Sequence, residues 1–355
     1  MISDDDLRAA VGSGLLSEAQ AASLAALADS RRGARENLSP GDEPFELFKG
    51  FNEIFIVVGL LILAGGWAGV TGVALTGQIV NVQTEVATAA AIAAGAIWAL
   101  SEYFIRRRRM VAPAIALSVL FALNAATGLT AWFSQPFMVA QNDLTSLPFP
   151  LALTTAATAL FWVRFRVPFA MALIALGIFA LALLIGANQA GGRPAELTDF
   201  FLLSASGPFA WITLLVGLAV FAVAMFFDMS DPHRVTRRSA QGFWLHVVAA
   251  PALVNTIALS LLEKGTSGAY LILLAVLVLF AAVAIVIDRR SFLIAAIGYI
   301  VTLAGTVFDG GGAAMTILIL GLFLVILGAF WARIRATLLS PLSGLLPLHR
   351  LPPSH

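Results

Sequence analysis

Apolar residues fall into ten blocks separated by short polar breaks, near 53–74, 84–105, 111–133, 148–164, 167–187, 207–227, 242–262, 268–287, 291–309 and 313–334. A helix needs about 20 such residues to cross about 30 Å of hydrocarbon. The pattern therefore predicts an all-α fold, a polytopic transmembrane helix bundle of about ten spans. The fourth block is short, and 148–187 reads as a hairpin with a tight turn at 164–166. Ser204, Ser206, Gly207 and Pro208 interrupt the approach to the sixth block, so 199–206 is expected to form a separate interfacial turn.

The chain before the first block has a different texture. Ser3 with Asp6 resembles a capping box, opening a helix through about Val11, where Gly12 and Gly14 break it. Ser17 with Gln20 makes a second box and starts a helix to about Ala28. Together they predict a small helical hairpin with an apolar stripe of Leu15, Leu16, Ala19, Leu24 and Leu27. It is too short to hold a core alone, so it is expected to pack on the membrane domain or on a protein partner, through residues 1–30. A DNA-binding reading fails on charge, because residues 1–30 carry five acids and one arginine. Residues 31–43 read as a linker, and Pro44 suits a first helical turn. Phe45, Phe48, Phe51 and Phe55 would then lie along the interface. The expected organisation is 1–43 hairpin and linker, 44–335 ten-helix domain and 336–355 tail. No basic-then-apolar signal order precedes the first span, which would act as its own insertion signal.

Composition fits lipid as the solvent. Apolar residues are 60% and charged residues 12% of the chain, against about 45–50% and about 25% in soluble proteins. Charge placement adds an orientation. With the N-terminus in the cytoplasm, 19 of the 21 lysines and arginines fall on the inner side and only Arg193 and Lys264 outside. Losing one span would invert every loop downstream. Tryptophans agree: Trp98, Trp162, Trp244 and Trp331 fall near inner ends, Trp132 and Trp211 near outer ends, and Trp67 deeper. The 19 arginines against 2 lysines point to a GC-rich bacterial genome, hence a bacterial inner membrane with both termini cytoplasmic.

Candidate chemistry is sparse. Cysteine is absent and the four histidines are scattered at 233, 246, 349 and 355, so no disulfide, metal site or other cofactor is expected. The acids read as paired or solvated: Glu102 one turn before Arg106, Asp288 beside Arg289, Asp231 capping the turn at Pro232, Glu53 four after Lys49, and Glu85, Glu263 and Asp309 at the outer surface. No acid is placed at the midplane, where a proton relay would need one. Asn124 and Asn255 are the neutral exceptions, expected to bond neighbouring helices at about 0.6 kcal/mol each. In the alternative, Pro251 frees the carbonyl of Val247 and Asn255 lines a polar cavity with it. Trp244 shares that face, whereas His246 points away and reads as a shallow, interfacial histidine. Gly59, Gly65, Gly66, Gly69 and Gly72 in the first span, and the alanine-rich second span, predict a tight pairing of those two helices. The turns around 104–113, 163–170 and 287–292 look alike. An inverted five-plus-five repeat is geometrically possible, but no sequence match links the halves.

The run Gly14-Leu15-Leu16-Ser17-Glu18-Ala19-Gln20, followed by a Gly-rich first span with Gly66-Trp67, resembles a group of uncharacterised bacterial multi-spanning membrane proteins that carry a short cytoplasmic helical hairpin. The stretch 243–251 is similar to a segment recurring in such proteins. The resemblance implies no activity and carries no functional residues. Two function classes remain: a membrane scaffold or regulator whose cytoplasmic hairpin contacts a partner, or a transporter of a small neutral or weakly polar solute. No catalytic constellation points to an enzyme.

Overall fold

The computed structural model describes residues 10–17, 52–75, 82–136, 143–190, 197–205, 207–231, 236–289 and 329–342, with isolated positions between them. Every regular element among them is helical: α1 (Asn52–Leu75), α2 (Val82–Ser101) with a π-helical continuation (Glu102–Arg107), α3 (Ala112–Phe133), α4 (Pro148–Phe165), α5 (Ala170–Ala190), α6 (Phe209–Ser230), α7 (Arg237–Glu263), α8 (Ser267–Val286) and the short α9 (Trp331–Leu339). Among the described residues seven helices are long and apolar enough to cross a membrane: α1, α2 with its continuation, α3, α5, α6, α7 and α8. The short α4 is less apolar because it carries three threonines and Arg164. Those hydroxyls are answered within the helix: Thr154, Thr155 and Thr158 donate to the carbonyls of Pro150, Leu151 and Thr154 at 2.8–2.9 Å. Backbone acceptance of this kind hides a hydroxyl where water is absent. The block at 291–309 and most of that at 313–334 lie outside the described residues. The break before the sixth block is a 3-10 turn (Leu197–Phe200) and a loop, with α6 starting only at Phe209.

Little of the expected N-terminal hairpin is described. Where it is, local chemistry follows the sequence. Gly14 takes φ +73° and its N–H donates to the carbonyl of Val11 at 3.0 Å, ending the first helical turn. Both arms of the Ser17–Gln20 box are made, at 3.2 and 3.0 Å. The Ser3–Asp6 box and the linker at 31–43 lie outside the described residues.

Helices pack largely on their sequence neighbours, α2 on α3, α3 on α4, α4 on α5 and α6 on α7, while α5 also reaches α7. The expected tight α1–α2 pair does not form. α1 leans chiefly on α3, and a Cβ added at Gly59, Gly65, Gly66, Gly69 or Gly72 would meet nothing within 4 Å. The close approach belongs to α2 and α3 instead. A Cβ at Gly128 would stand 2.6 Å from that of Ala90, and Asn124 Nδ2 donates to the Ala90 carbonyl at 2.8 Å. Without a hydrophobic drive between helices in lipid, small side chains and an interhelical hydrogen bond decide which faces meet. On α1 a side chain added at those glycines would meet open space, and Gly72 borders a cavity between α1, α2 and α3.

Three buried clusters run along the bundle. The first joins Leu60, Leu117, Phe121, Phe161 and Phe165, with Trp98 against three of those rings. Phe121 and Phe161 stack at 4.8 Å between centroids, a spacing at which ring quadrupoles add to burial. The second links α5, α6 and α7 through Met171, Phe179, Val220, Ala224 and Leu245. The third sets Leu253 and Val254 of α7 on Leu273 and Leu277 of α8. Three turns at one end of the bundle share a backbone device: Arg109, Arg166 and Asp288 all take φ near +50°, at 52°, 51° and 56°. These are the three turns whose sequences look alike.

Gly128 and Gly65 provide a paired test. Gly128→Leu is expected to lower stability by about 1–3 kcal/mol through overpacking, read as earlier loss of helical circular dichroism in a denaturant series. Gly65→Leu should leave the midpoint unchanged.

Candidate functional site

Two residues from the end of α6, Asp228 is buried. Arg289 reaches it from the turn after α8: Nε donates to Oδ2 at 2.9 Å and Nη2 donates to Oδ1. His246 Nε2 lies 2.9 Å from the same Oδ2. A carboxylate accepting an arginine fork has only lone pairs to offer, so the His246 Nε2 must carry the proton and donate. Arg289 Nη2 also donates to the Ser239 carbonyl at 2.7 Å, and its guanidinium lies 5.9 Å from the Phe243 ring centroid. The edge of Phe221 faces the imidazole at 5.4 Å. One carboxylate thus gathers α6, α7 and the end of α8.

The local sequence explains the approach. Gly242 lies on α7 opposite Asp228, and a Cβ there would collide with Oδ1 and come within 3.2 Å of the Ala224 carbonyl. Only a hydrogen at this position lets α7 lie close enough for His246 and Ser239 to engage. Upstream, Asp231 Oδ2 accepts from the backbone N–H and the hydroxyl of Thr236, at 3.0 and 2.8 Å, closing the α6–α7 connection. Thr236 in turn caps α7 by accepting from the Arg238 N–H at 3.2 Å.

Chemically this cluster holds an acid, a base and a cation, but it is sealed: His246 is 0%, Asp228 4% and Arg289 7% exposed. Solute has no access to a reacting atom in this arrangement. The geometry is that of a lock. Burial raises the Coulombic stakes, and the bidentate fork with its added donors is the arrangement in which a buried pair offsets its desolvation.

Two further charged side chains close helix ends at a distance in sequence. Glu53 is buried, and its Oε2 accepts from the N–H groups of Val111 and Ala112 at 3.2 and 3.0 Å, capping α3 from α1. A carboxylate at a helix N-terminus satisfies open donors and complements the dipole. Arg335 of α9 does the reverse, donating to the carbonyls of Ile285 and Val286 at 3.0 and 3.2 Å at the end of α8. Beside it, Trp331 Nε1 donates to Asp288 Oδ1 at 2.7 Å.

The residues singled out from sequence separate into different places. Asn124 is taken up by the Ala90 carbonyl, and Asn255 Oδ1 accepts from the Tyr299 hydroxyl at 2.9 Å, so both bond other helices. Pro251 is exposed on α7. Trp244 is half-buried against Phe169, with centroids 4.7 Å apart. His246 does face away from Asn255, but it is fully buried on Asp228 rather than interfacial. Asp288 and Arg289, neighbours in sequence, turn to different partners. Glu53 is a helix cap rather than a solvated acid. Asp228 escaped the sequence reading, since Met225, Phe226 and Phe227 make it look like the trailing edge of a span. The available signal was three complementary groups, Asp228, His246 and Arg289, near the same ends of consecutive helices. Among the described residues no three His, Cys, Asp or Glu side chains converge as a metal site would need.

Arg289→Ala leaves Asp228 buried without its fork and is expected to cost about 3–5 kcal/mol. The double variant Asp228→Leu with Arg289→Met removes both charges and should recover most of that loss. Denaturation midpoints of the three proteins check this, and a double variant as unstable as Arg289→Ala would contradict the lock. Gly242→Ala should behave like Arg289→Ala in direction.

No family model, curated protein or solved structure matches the chain, so no relative's chemistry can be carried onto Asp228, His246 or Arg289.

Proposed function

We propose that the chain is a bacterial inner-membrane protein of ten spans with both termini in the cytoplasm, and that it works as a scaffold or regulator. Its helical hairpin at residues 1–30 is the element that contacts a cytoplasmic partner. The observation that carries this reading is the fate of the polar groups within the helices. Asn124 bonds the Ala90 carbonyl and Asn255 the Tyr299 hydroxyl, and the buried cluster of Asp228, His246 and Arg289 is locked and sealed. A solute path would draw on polar groups that remain available. The side chain of Leu15, in the proposed partner-binding stripe, is 79% exposed, which suits an apolar contact supplied by another protein. Topology is supported by the distribution of charge, with 19 of 21 basic residues on one side in this arrangement.

Compartment-sensitive reporters placed after Arg109, Ala190 and Arg290 test the orientation. Cytoplasmic signals are expected at both arginines and a periplasmic signal at Ala190. Deleting residues 1–30 should leave the bundle inserted and remove a co-purifying cytoplasmic protein. An unchanged set of co-purifying proteins would eliminate the hairpin as the contact.

A further inference from the structure

A cavity of about 790 Å³ opens at the arginine-rich end of the bundle, between the π-helical end of α2, the α4–α5 turn and the start of α7. Arg106, Arg107, Arg109, Arg164, Arg166 and Arg237 line it, opposed among the lining residues by the single carboxylate of Glu102. Glu102 takes Arg164 at 2.7 Å and Arg106 at 3.3 Å. Even with those pairs made, Arg106, Arg107, Arg164 and Arg166 bring four positive charges against the one carboxylate. Arg166 is held in place by stacking over the Trp162 ring, 4.9 Å from its centroid. These guanidinium groups converge from three separate parts of the chain, so the arrangement is a product of the tertiary fold and not of one basic run.

Three features of the backbone support the same convergence. The chain leaves α2 through a π-helical turn, a form that is rare and is found mostly at functional sites. Arg109 and Arg166 both sit in the left-handed region, at φ 52° and 51°. Arg237 is the first residue of a helix 27 residues long, where the dipole disfavours a cation. An anion in the cavity would offset that mismatch.

The rim indicates where the anion comes from. Tyr103 and Val163 line the cavity and are 47% and 52% exposed, and Leu160, one turn from Val163 on α4, is 60% exposed. Apolar side chains therefore continue outward from the basic floor along the helix sides that would meet acyl chains. We propose that this cavity binds the phosphodiester headgroup of an anionic phospholipid, with its acyl chains lying along the Tyr103, Val163 and Leu160 surface. Guanidinium groups suit this ligand because their planar forks match phosphate oxygens, and basic pockets between membrane helices are suited to such headgroups. The site goes beyond the scaffold reading and does not depend on which face of the membrane carries it.

The test uses the full chain purified in a neutral detergent, with bound lipid counted by native mass spectrometry. Phosphatidylglycerol should bind at least about tenfold more tightly than phosphatidylcholine, which has the same phosphodiester but would set its choline cation among the arginines. The double variant Arg107→Gln with Arg166→Gln leaves the Glu102 ion pairs in place and should lose that preference. Glu102→Gln removes the competing carboxylate, frees Arg106 and Arg164, and should keep or tighten phosphatidylglycerol binding. A merely structural Glu102 would not produce a gain. Millimolar inorganic phosphate should not displace the lipid. Equal affinity for the two lipids would overturn the proposal. So would an unchanged preference in the double arginine variant, weakened binding in Glu102→Gln, or displacement by phosphate, which would assign the site to a soluble anion.

Discussion

The fork from Arg289 to Asp228 fixes the ends of α6, α7 and α8 relative to one another, and the packing above it depends on that register. In hydrocarbon an unanswered charge is far more costly than in water, so the three ends can separate only by leaving Asp228 or Arg289 buried alone. Glu53 on the first turn of α3 and Arg335 on the last carbonyls of α8 follow the same logic with backbone partners. Each joins elements distant in sequence. The charged residues are few, but those that are buried hold helix ends in place.

Away from that end the bundle relies on different forces. Helices approach where small residues permit it, as at Gly128 against Ala90, and aromatic rings fill the wider gaps between α2, α3 and α4. α1 is the exception, because its glycines make no close contact with another described helix and most of its large side chains are exposed. Stability is accordingly uneven. The α6–α7 pair is knit by close packing and a buried ion pair, whereas α1 is held by one side of its surface and by Glu53.

Local features were legible in the sequence, and long-range ones were not. The block pattern marked the seven described helices that are long and apolar enough to cross a membrane, and the less apolar α4 beside them. The Ser17–Gln20 box and the Glu102–Arg106 pair were legible because both partners lie within one turn. Asn124 bonds the Ala90 carbonyl and also lines a cavity between α1, α2 and α3, and neither its acceptor nor that cavity could be named from the sequence. By contrast, the Glu53 acceptor role spans 58 residues and the Asp228–Arg289 fork spans 61. Neither separation leaves a periodic trace. The α1–α2 pairing was misread because small residues permit close contact without choosing a neighbour, and α3 offered the better surface.

The three left-handed turns constrain which residues can occupy them without strain. A non-glycine residue in that region costs about 1–2 kcal/mol relative to its relaxed backbone, and glycine would remove the cost at Arg109, Arg166 and Asp288. Glycine would also remove a guanidinium from two of those turns. At Arg166 it would take away the group stacked over the Trp162 ring, and at Arg109 one that lines the same cavity. The backbone strain at Arg109 and Arg166 is thus the cost of setting a guanidinium at each of these turns.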